Sequence, residues 1–235
     1  MSWPTYQPLG DNGLLISYEE KIDPNINGRV RFLSEKIEEH GFLWLCEVVF
    51  SFRSLLVIYD PHRIRFPEVA KTIKRIEGTL QASQAYSPNL YEIPTAYGGP
   101  YGPDLERVAE FCSLSPQAII EIFSSTVFTV YFLGFLCAQP YLGGLPETLH
   151  VPRLESPRLH VPAGSVGMGG IQAGVITIDQ PSGFNYIGRT FLSLYDPLKI
   201  PPTYLKAGDR IVFPSLSEDQ VLKLKGNPPI LKGQR

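Results

Sequence analysis

The residues best able to do chemistry crowd into one stretch, Tyr131 to Thr190. It holds ten glycines, six prolines and only six charged residues, none of them lysine. Arg153 and Arg158 each follow a proline, in Val151-Pro152-Arg153 and Ser156-Pro157-Arg158, and Arg189 follows Gly188. Proline stiffens the chain, so these guanidinium groups could be aimed at a carboxylate or a phosphate, with ion pairing to Glu147 or Glu155 as the alternative use. Gly164-Ser165-Val166-Gly167-Met168-Gly169-Gly170 has the composition of a phosphate-cradling loop. No Gly-Lys-Ser/Thr follows it, and the next element reads as strand, so neither a P-loop nor a dinucleotide fingerprint is supported. Cys137 stands in no evident relation to a histidine and reads as an inert thiol.

So much glycine and proline excludes a helix, and so little charge argues against a disordered linker. The stretch must be ordered backbone with tight turns. Such turns either bring main-chain donors to a ligand or serve the bends of a barrel.

Around this stretch the chain of 235 residues is long enough for two small domains. The net charge of -2 points to no nucleic-acid or acidic-membrane partner. The basic run Arg63, Arg65, Lys71, Lys74 and Arg75, broken by Glu68 and Glu77, reads as a solvated helix face more readily than as a binding patch. The start, Met1 to Gly13, lacks the pattern of a signal peptide, and the longest apolar run, Val127 to Ala138, falls far short of the roughly 20 residues that span a bilayer. Cys46, Cys112 and Cys137 are odd in number and widely spaced, which suits reduced thiols in a cytoplasm. His40, His62, His150 and His160 form no metal-spaced cluster, so no metal site is expected.

The first ninety residues predict a β-α-β-β-α-β series. Leu14 to Tyr18 reads as a strand, and Asp23-Pro24 as a helix start with Ile26, Val30, Leu33 and Ile37 as its apolar stripe and Gly41 as its end. Phe42 to Phe50 and Leu55 to Tyr59 read as a hairpin. Phe66-Pro67 opens a second helix with Val69, Ile73, Ile76 and Leu80 inward, and Leu90 to Ile93 supplies the last strand. This is the split order of ferredoxin-like domains. The Gly/Pro cluster Tyr97 to Pro103 places a boundary near Thr95. Helices are expected over Asp104 to Cys112 and Pro116 to Phe123. Strands follow at Val127 to Phe132, Val175 to Ile178, Phe184 to Ile187 and Ile211 to Phe213, as in an antiparallel sheet or small barrel. The expected division is therefore 1–94, 95–222 and a loose tail, 223–235.

Several phrases carry a family resemblance: Pro140-Tyr141-Leu142-Gly143-Gly144-Leu145, Pro157-Arg158, Val161-Pro162-Ala163-Gly164-Ser165-Val166-Gly167 and Ile187-Gly188-Arg189-Thr190. Gly10-Asp11, Phe52-Arg53-Ser54-Leu55-Leu56-Val57, Tyr97-Gly98-Gly99, Gly102-Pro103-Asp104-Leu105 and Gly208-Asp209-Arg210 also fit. Over about residues 8 to 214 the chain resembles the family called allophanate hydrolase subunit 1, also known as the sporulation-kinase inhibitor KipI and as the 5-oxoprolinase B subunit.

The resemblance implies an α+β protein in which a ferredoxin-like βαββαβ domain precedes a cyclophilin-like antiparallel β-barrel domain. It implies a cytoplasmic subunit, inactive alone, of an ATP-dependent 5-oxoprolinase. Its partners would be a subunit-2-type (KipA-like) protein and a LamB/YcsF-type protein, and ATP would be used by the complex. The alternative is a non-catalytic regulator that inhibits a sensor histidine kinase. Tyr141, Arg153, Arg158, Gly164, Ser165, Gln172 and Arg189 are the candidates for substrate or partner binding, and no catalytic residue is assigned.

Two departures stand out. Where the family commonly reads Gly-Phe-x-Pro-Gly-Phe-x-Tyr-Leu, this chain has Gly134-Phe135-Leu136-Cys137-Ala138-Gln139-Pro140-Tyr141-Leu142, and where a histidine usually precedes Ser-Ser it has Phe123 before Ser124-Ser125. The loss of that histidine removes the family's obvious proton carrier and favours binding over chemistry.

Overall fold

The computed structural model describes residues 3–80, 88–134 and 136–234. The chain forms two compact units, 1–86 and 87–235.

In the first unit, β1 (Thr5–Leu9) and β2 (Gly13–Ser17) precede α1 (Pro24–Glu39). Then come β3 (Leu45–Phe50), β4 (Ser54–Tyr59) and α2 (Phe66–Thr79). Asp23 caps α1 by accepting from the amide of Asn25 at 2.9 Å, with Pro24 in the first turn where its missing N–H is not needed. The expected stripe is the buried one: Val30, Leu33 and Ile37 are sealed against Leu14, Ile16, Leu55 and Val57 of the sheet and Ile73 of α2. The basic residues Arg63, Arg65, Lys71, Lys74 and Arg75 are exposed. On α2, Val69, Ile73 and Ile76 face the core, so the basic run is a solvated helix face.

The sheet order is β1-β2-β4-β3, antiparallel throughout. This corrects the ferredoxin-like series. The fourth strand of this sheet is β1 and not Leu90 to Ile93, whose strand β5 joins the sheet of the second unit; Pro4 and Pro8 mask the alternation of β1 in the sequence.

The second unit opens with β5 (Asn89–Glu92) and β6 (Ala96–Tyr97), then α3 (Leu105–Cys112) and α4 (Pro116–Ser125). Strands β7 (Phe128–Gly134), β8 (Gln139–Gly143), β9 (Arg158–Val161), β10 (Ser165–Gly169) and β11 (Gln172–Val175) follow. The chain closes with β12 (Gln180–Ser182), β13 (Asn185–Arg189), β14 (Arg210–Val212), α5 (Glu218–Leu222) and β15 (Ile230–Gln234). Nine strands form one sheet in the order β15-β5-β14-β7-β8-β11-β10-β13-β6, and β9 with β12 makes a separate ribbon.

The large sheet curls back on itself. Ile93 and Thr95 donate to Val212 O and Pro214 O at 2.9 and 3.0 Å, beside β14, and two residues later Tyr97 pairs with Gly188 of β13. One continuous segment, 89–97, thus touches both flanks of the sheet. Thr95, expected at a domain boundary, is fully buried within this closure. Within 223–235, expected to be loose, β15 pairs with β5 and Asn227 O accepts from Ser193 N at 2.8 Å. Inside the curl lie Phe123, Phe128 and Phe213, with ring centroids 4.9–5.6 Å apart.

The β7–β8 hairpin turns through Cys137 and Ala138, at φ 46° and 55°, and the amide of Gln139 bonds Leu136 O at 3.1 Å. Positive φ at both central positions suits glycine or asparagine, and a Cβ there is strained. Phe135 lies outside the described residues.

Two outcomes follow. Ala138→Gly should raise stability by about 1 kcal/mol, read by thermal or urea denaturation. A fragment 87–235 should fold cooperatively, whereas 95–235, which loses β5 from the closing segment, should lack a cooperative melt.

Candidate functional site

The second unit's sheet has a core face and an outer face, sorted by strand alternation. Leu142 of β8, Ala173 and Val175 of β11, and Val166 and Met168 of β10 go to the core. Their neighbours Tyr141, Gln172, Gly174, Gly167 and Gly169 therefore share the outer face. Tyr141 pairs with Gly174, Gly174 with Gly167, and Gln172 with Gly169.

The glycines make a floor without side chains. A Cβ at Gly169 would sit 2.8 Å from the Phe184 ring and 2.9 Å from Arg153 Cγ, and one at Gly174 would sit 3.3 Å from the same ring. Phe184 and Arg153 thus lie directly on the backbone. At Gly167 a Cβ would meet Asn185 O at 2.1 Å, a close strand approach that no larger residue permits. Ser165 to Gly169 is a fully buried strand, so the glycine-rich phrase is packing and not an open anion loop.

Arg153 is held in place from three sides. Gly170 N donates to Val151 O at 2.7 Å, Asn185 Nδ2 to Pro152 O at 2.9 Å, and Leu154 N to Gly183 O at 2.8 Å. Its guanidinium lies 4.9 Å over the Phe184 ring and donates through Nη2 to Gln172 Oε1 at 3.0 Å. Among the described residues no carboxylate pairs with it, neither Glu147 nor Glu155. A planar donor lying on a ring, with N–H groups to spare, is ready for a carboxylate or phosphate. Tyr141 stacks on Phe132 beside it, with centroids 4.3 Å apart, and burial raises its hydroxyl pKa while Arg153 works the other way.

The remaining sequence candidates are elsewhere employed. Arg158 forms a two-bond fork with buried Asp104, Nη1 to Oδ2 at 2.8 Å and Nη2 to Oδ1 at 2.6 Å, and the same carboxylate accepts from Tyr186 N at 2.7 Å. That bonding, first of all, raises the Arg158 pKa. Gly164, at φ 84°, and Ser165, whose hydroxyl donates to Pro162 O at 2.8 Å, belong to a turn, and Arg189 Nε donates to Ala163 O of the same turn at 3.0 Å. Asp179 caps it by accepting from Ala163 N at 2.7 Å, the main reason its carboxyl pKa is lowered, and pairs with His160 at 3.3 Å. Tyr141, Arg153 and Gln172 are therefore one group. Gly164, Ser165 and Arg189 are a second, and Arg158 stands apart from both.

Sequence reasoning missed Phe184 and Gln180, and it assigned Gln139 no role. Gln180 Nε2 donates to Gln139 Oε1, joining the β9–β12 ribbon to β8 on the outer face. The signal was present at Gln139, where the chain departs from the family phrase. The other departure, Phe123, is fully buried among Phe128, Phe213 and Tyr97, so position 123 here is core. The Cys137 thiol meets the Tyr195 hydroxyl. No described group of three His, Cys, Asp or Glu could hold a metal ion, and no described helix is long and apolar enough to cross a membrane. A hollow of about 350 Å³ lies apart from Arg153, lined by Tyr97, Tyr101, Gln117, Ser217 and Glu218 among others. It has an acid and no cation in its wall, which does not suit an anion.

The chain belongs to the family described as carboxyltransferase domain, subdomain C and D, whose model matches residues 4–205. Within it the relatives are more specific. The chain is 47% identical to the 5-oxoprolinase B subunit of Escherichia coli O157:H7, over 87% of this chain and 93% of that protein. It is 37% identical to the 5-oxoprolinase B subunit of Bacillus subtilis (strain 168), over 90% and 92% respectively. These likenesses place it in the family of 5-oxoprolinase B subunits. In fold it matches the Kluyveromyces lactis urea amidolyase structure with a TM-score of 0.82 over 99% of this chain and 16% of that one, at 19% identity.

The two arginines should separate by mutation. Arg158→Ala leaves a buried carboxylate unpaired and should cost about 2–3 kcal/mol in chemical denaturation, whereas Arg153→Ala should cost less than about 1 kcal/mol.

Proposed function

We propose that this chain is a subunit of an ATP-dependent 5-oxoprolinase, hydrolysing 5-oxo-L-proline to L-glutamate with a subunit-2-type (KipA-like) protein and a LamB/YcsF-type protein. The reading puts it in the cytoplasm, with its second unit as a cyclophilin-like barrel. The names of the relatives support the reaction. The observation that carries the assignment to a place on this chain is Arg153, braced on a glycine floor with no carboxylate partner among the described residues.

Opening a lactam is a reluctant amide hydrolysis. Transfer of the γ-phosphoryl group of ATP to the lactam carbonyl oxygen makes the ring carbon a far better electrophile. Water then opens the C–N bond and phosphate leaves. Such a sequence needs a fixed cation for the substrate carboxylate or the departing phosphate. Arg153 supplies a bidentate donor, and Gln172 and Phe184 fix its plane. ATP is used by the complex in this reading, and the sequence of this chain offers no Gly-Lys-Ser/Thr phosphate loop. No observation favours the kinase-inhibitor alternative.

The test uses the complex of this chain co-purified with its partners. Arg153→Lys should leave melting and co-purification unchanged and lower kcat/KM for glutamate release about tenfold or more, because an ammonium does not replace a planar fork. Full activity in the variant would remove Arg153 from the site. The chain alone should release no phosphate from ATP, and turnover of about 1 per second would contradict a division of labour within the complex.

A further inference from the structure

Among the described residues two buried polar side-chain atoms have no hydrogen-bond partner, the Thr177 hydroxyl and the Gln180 side-chain carbonyl. Thr177 and Gln180 are 8% and 4% exposed, so bulk water does not serve either group. Buried polar atoms are nearly always paired, and an orphan calls for an explanation.

Gln180 opens β12 opposite Val161 and uses its Nε2 to reach Gln139 Oε1, leaving the adjacent Oε1 unpaired. One contact occupies one half of a carboxamide. Gln139 shares its β8 face with Tyr141 and follows the two left-handed residues Cys137 and Ala138. Thr177 lies in the connection that leads from β11 to Gln180.

The partner that completes Gln180 presents a carbonyl and an N–H side by side. Its carbonyl accepts from Nε2 and its N–H donates to Oε1. A trans secondary amide holds these two groups on opposite sides of the C–N bond, whereas the ring of a lactam forces them onto the same side. Resting on the function proposed above, we propose that Gln180 and Thr177 recognise the cis-amide edge of a lactam. The ligand takes the place of the Gln139 side chain, and the Thr177 hydroxyl donates to the second lone pair of its carbonyl. Gln139 is then an internal stand-in, carried on a strained turn that yields when the ligand enters. Cyclic imides and ureido groups share the same edge and belong to the same ligand class.

The site makes an unusual demand on mutagenesis, because stability and binding should move in opposite directions. Thr177→Val removes an unpaired hydroxyl with little change of shape. It should raise Tm by about 2–4 °C while raising KM for 5-oxoproline about tenfold and leaving KM for ATP unchanged. In the co-purified complex Gln180→Met should raise the same KM about tenfold or more. Calorimetry with the full chain supplies the direct readout. The parent should bind 5-oxoproline about tenfold tighter than its N-methyl derivative, which lacks the N–H, and Gln180→Met should lose that preference. Both variants keeping KM within about twofold of the parent, with the preference retained, would overturn the inference. A parent complex that releases no glutamate refutes the 5-oxoprolinase reading alone. Titration of the full chain with 2-pyrrolidone then decides this site: binding by the parent and not by Gln180→Met supports it, and equal behaviour of the two overturns it.

Discussion

The second unit is organised around one buried carboxylate. Asp104 stands at the start of α3, where an aspartate would ordinarily cap the helix, yet its oxygens bond no helix amide. They take the two-bond fork of Arg158 and the amide of Tyr186 instead. A helix start, the β9 strand of the ribbon and the β13 strand of the main sheet are thereby fixed to one group. Two anchors follow from that knot. It seats the ribbon that carries Gln180, and it sets the strand whose Asn185 holds the backbone beside Arg153. A buried ion pair adds little net stability over an apolar alternative, but breaking one side of it is costly, so such a pair specifies geometry.

The glycines do a second, separate job. In the sequence they could serve either ligand binding or the bends of a barrel, and the structure divides them. Gly164 sits at a positive φ in a tight turn, and Gly167 permits a close strand approach. Gly169 and Gly174 instead let Phe184 and Arg153 lie flat on the sheet. Ligand readiness here comes from side chains resting on bare backbone, and main-chain donors are not exposed for the purpose.

Legibility followed the range of each interaction. The stripe Val30, Leu33 and Ile37, the cap Asp23-Pro24 and the glycine-rich phrase are local patterns, and each lay open in the sequence. The strand 89–92 was also visible, but its partners were not. It joins β14, some 120 positions later in the chain, and periodicity carries no information about that pairing. Arg158 shows the same limit, because its partner is 54 residues away while Glu155 stands close by in sequence. Residue type and phrase single out Arg153, Gln172 and Tyr141. Only strand register joins them and leaves out Arg158 and Arg189. Gln139 stands out as a departure from a family phrase, yet its meaning depends on Gln180, which no local signal marks.

We propose that the outer face of β8 and β11 receives the substrate. A crystal structure of the assembled complex with 5-oxoproline and a non-hydrolysable ATP analogue tests it most directly. The lactam should lie on this face, with its carboxylate or the nucleotide's terminal phosphate within about 3 Å of the Arg153 guanidinium. Ligand bound solely in the hollow between Tyr101 and Glu218, with Arg153 still facing solvent, would contradict it.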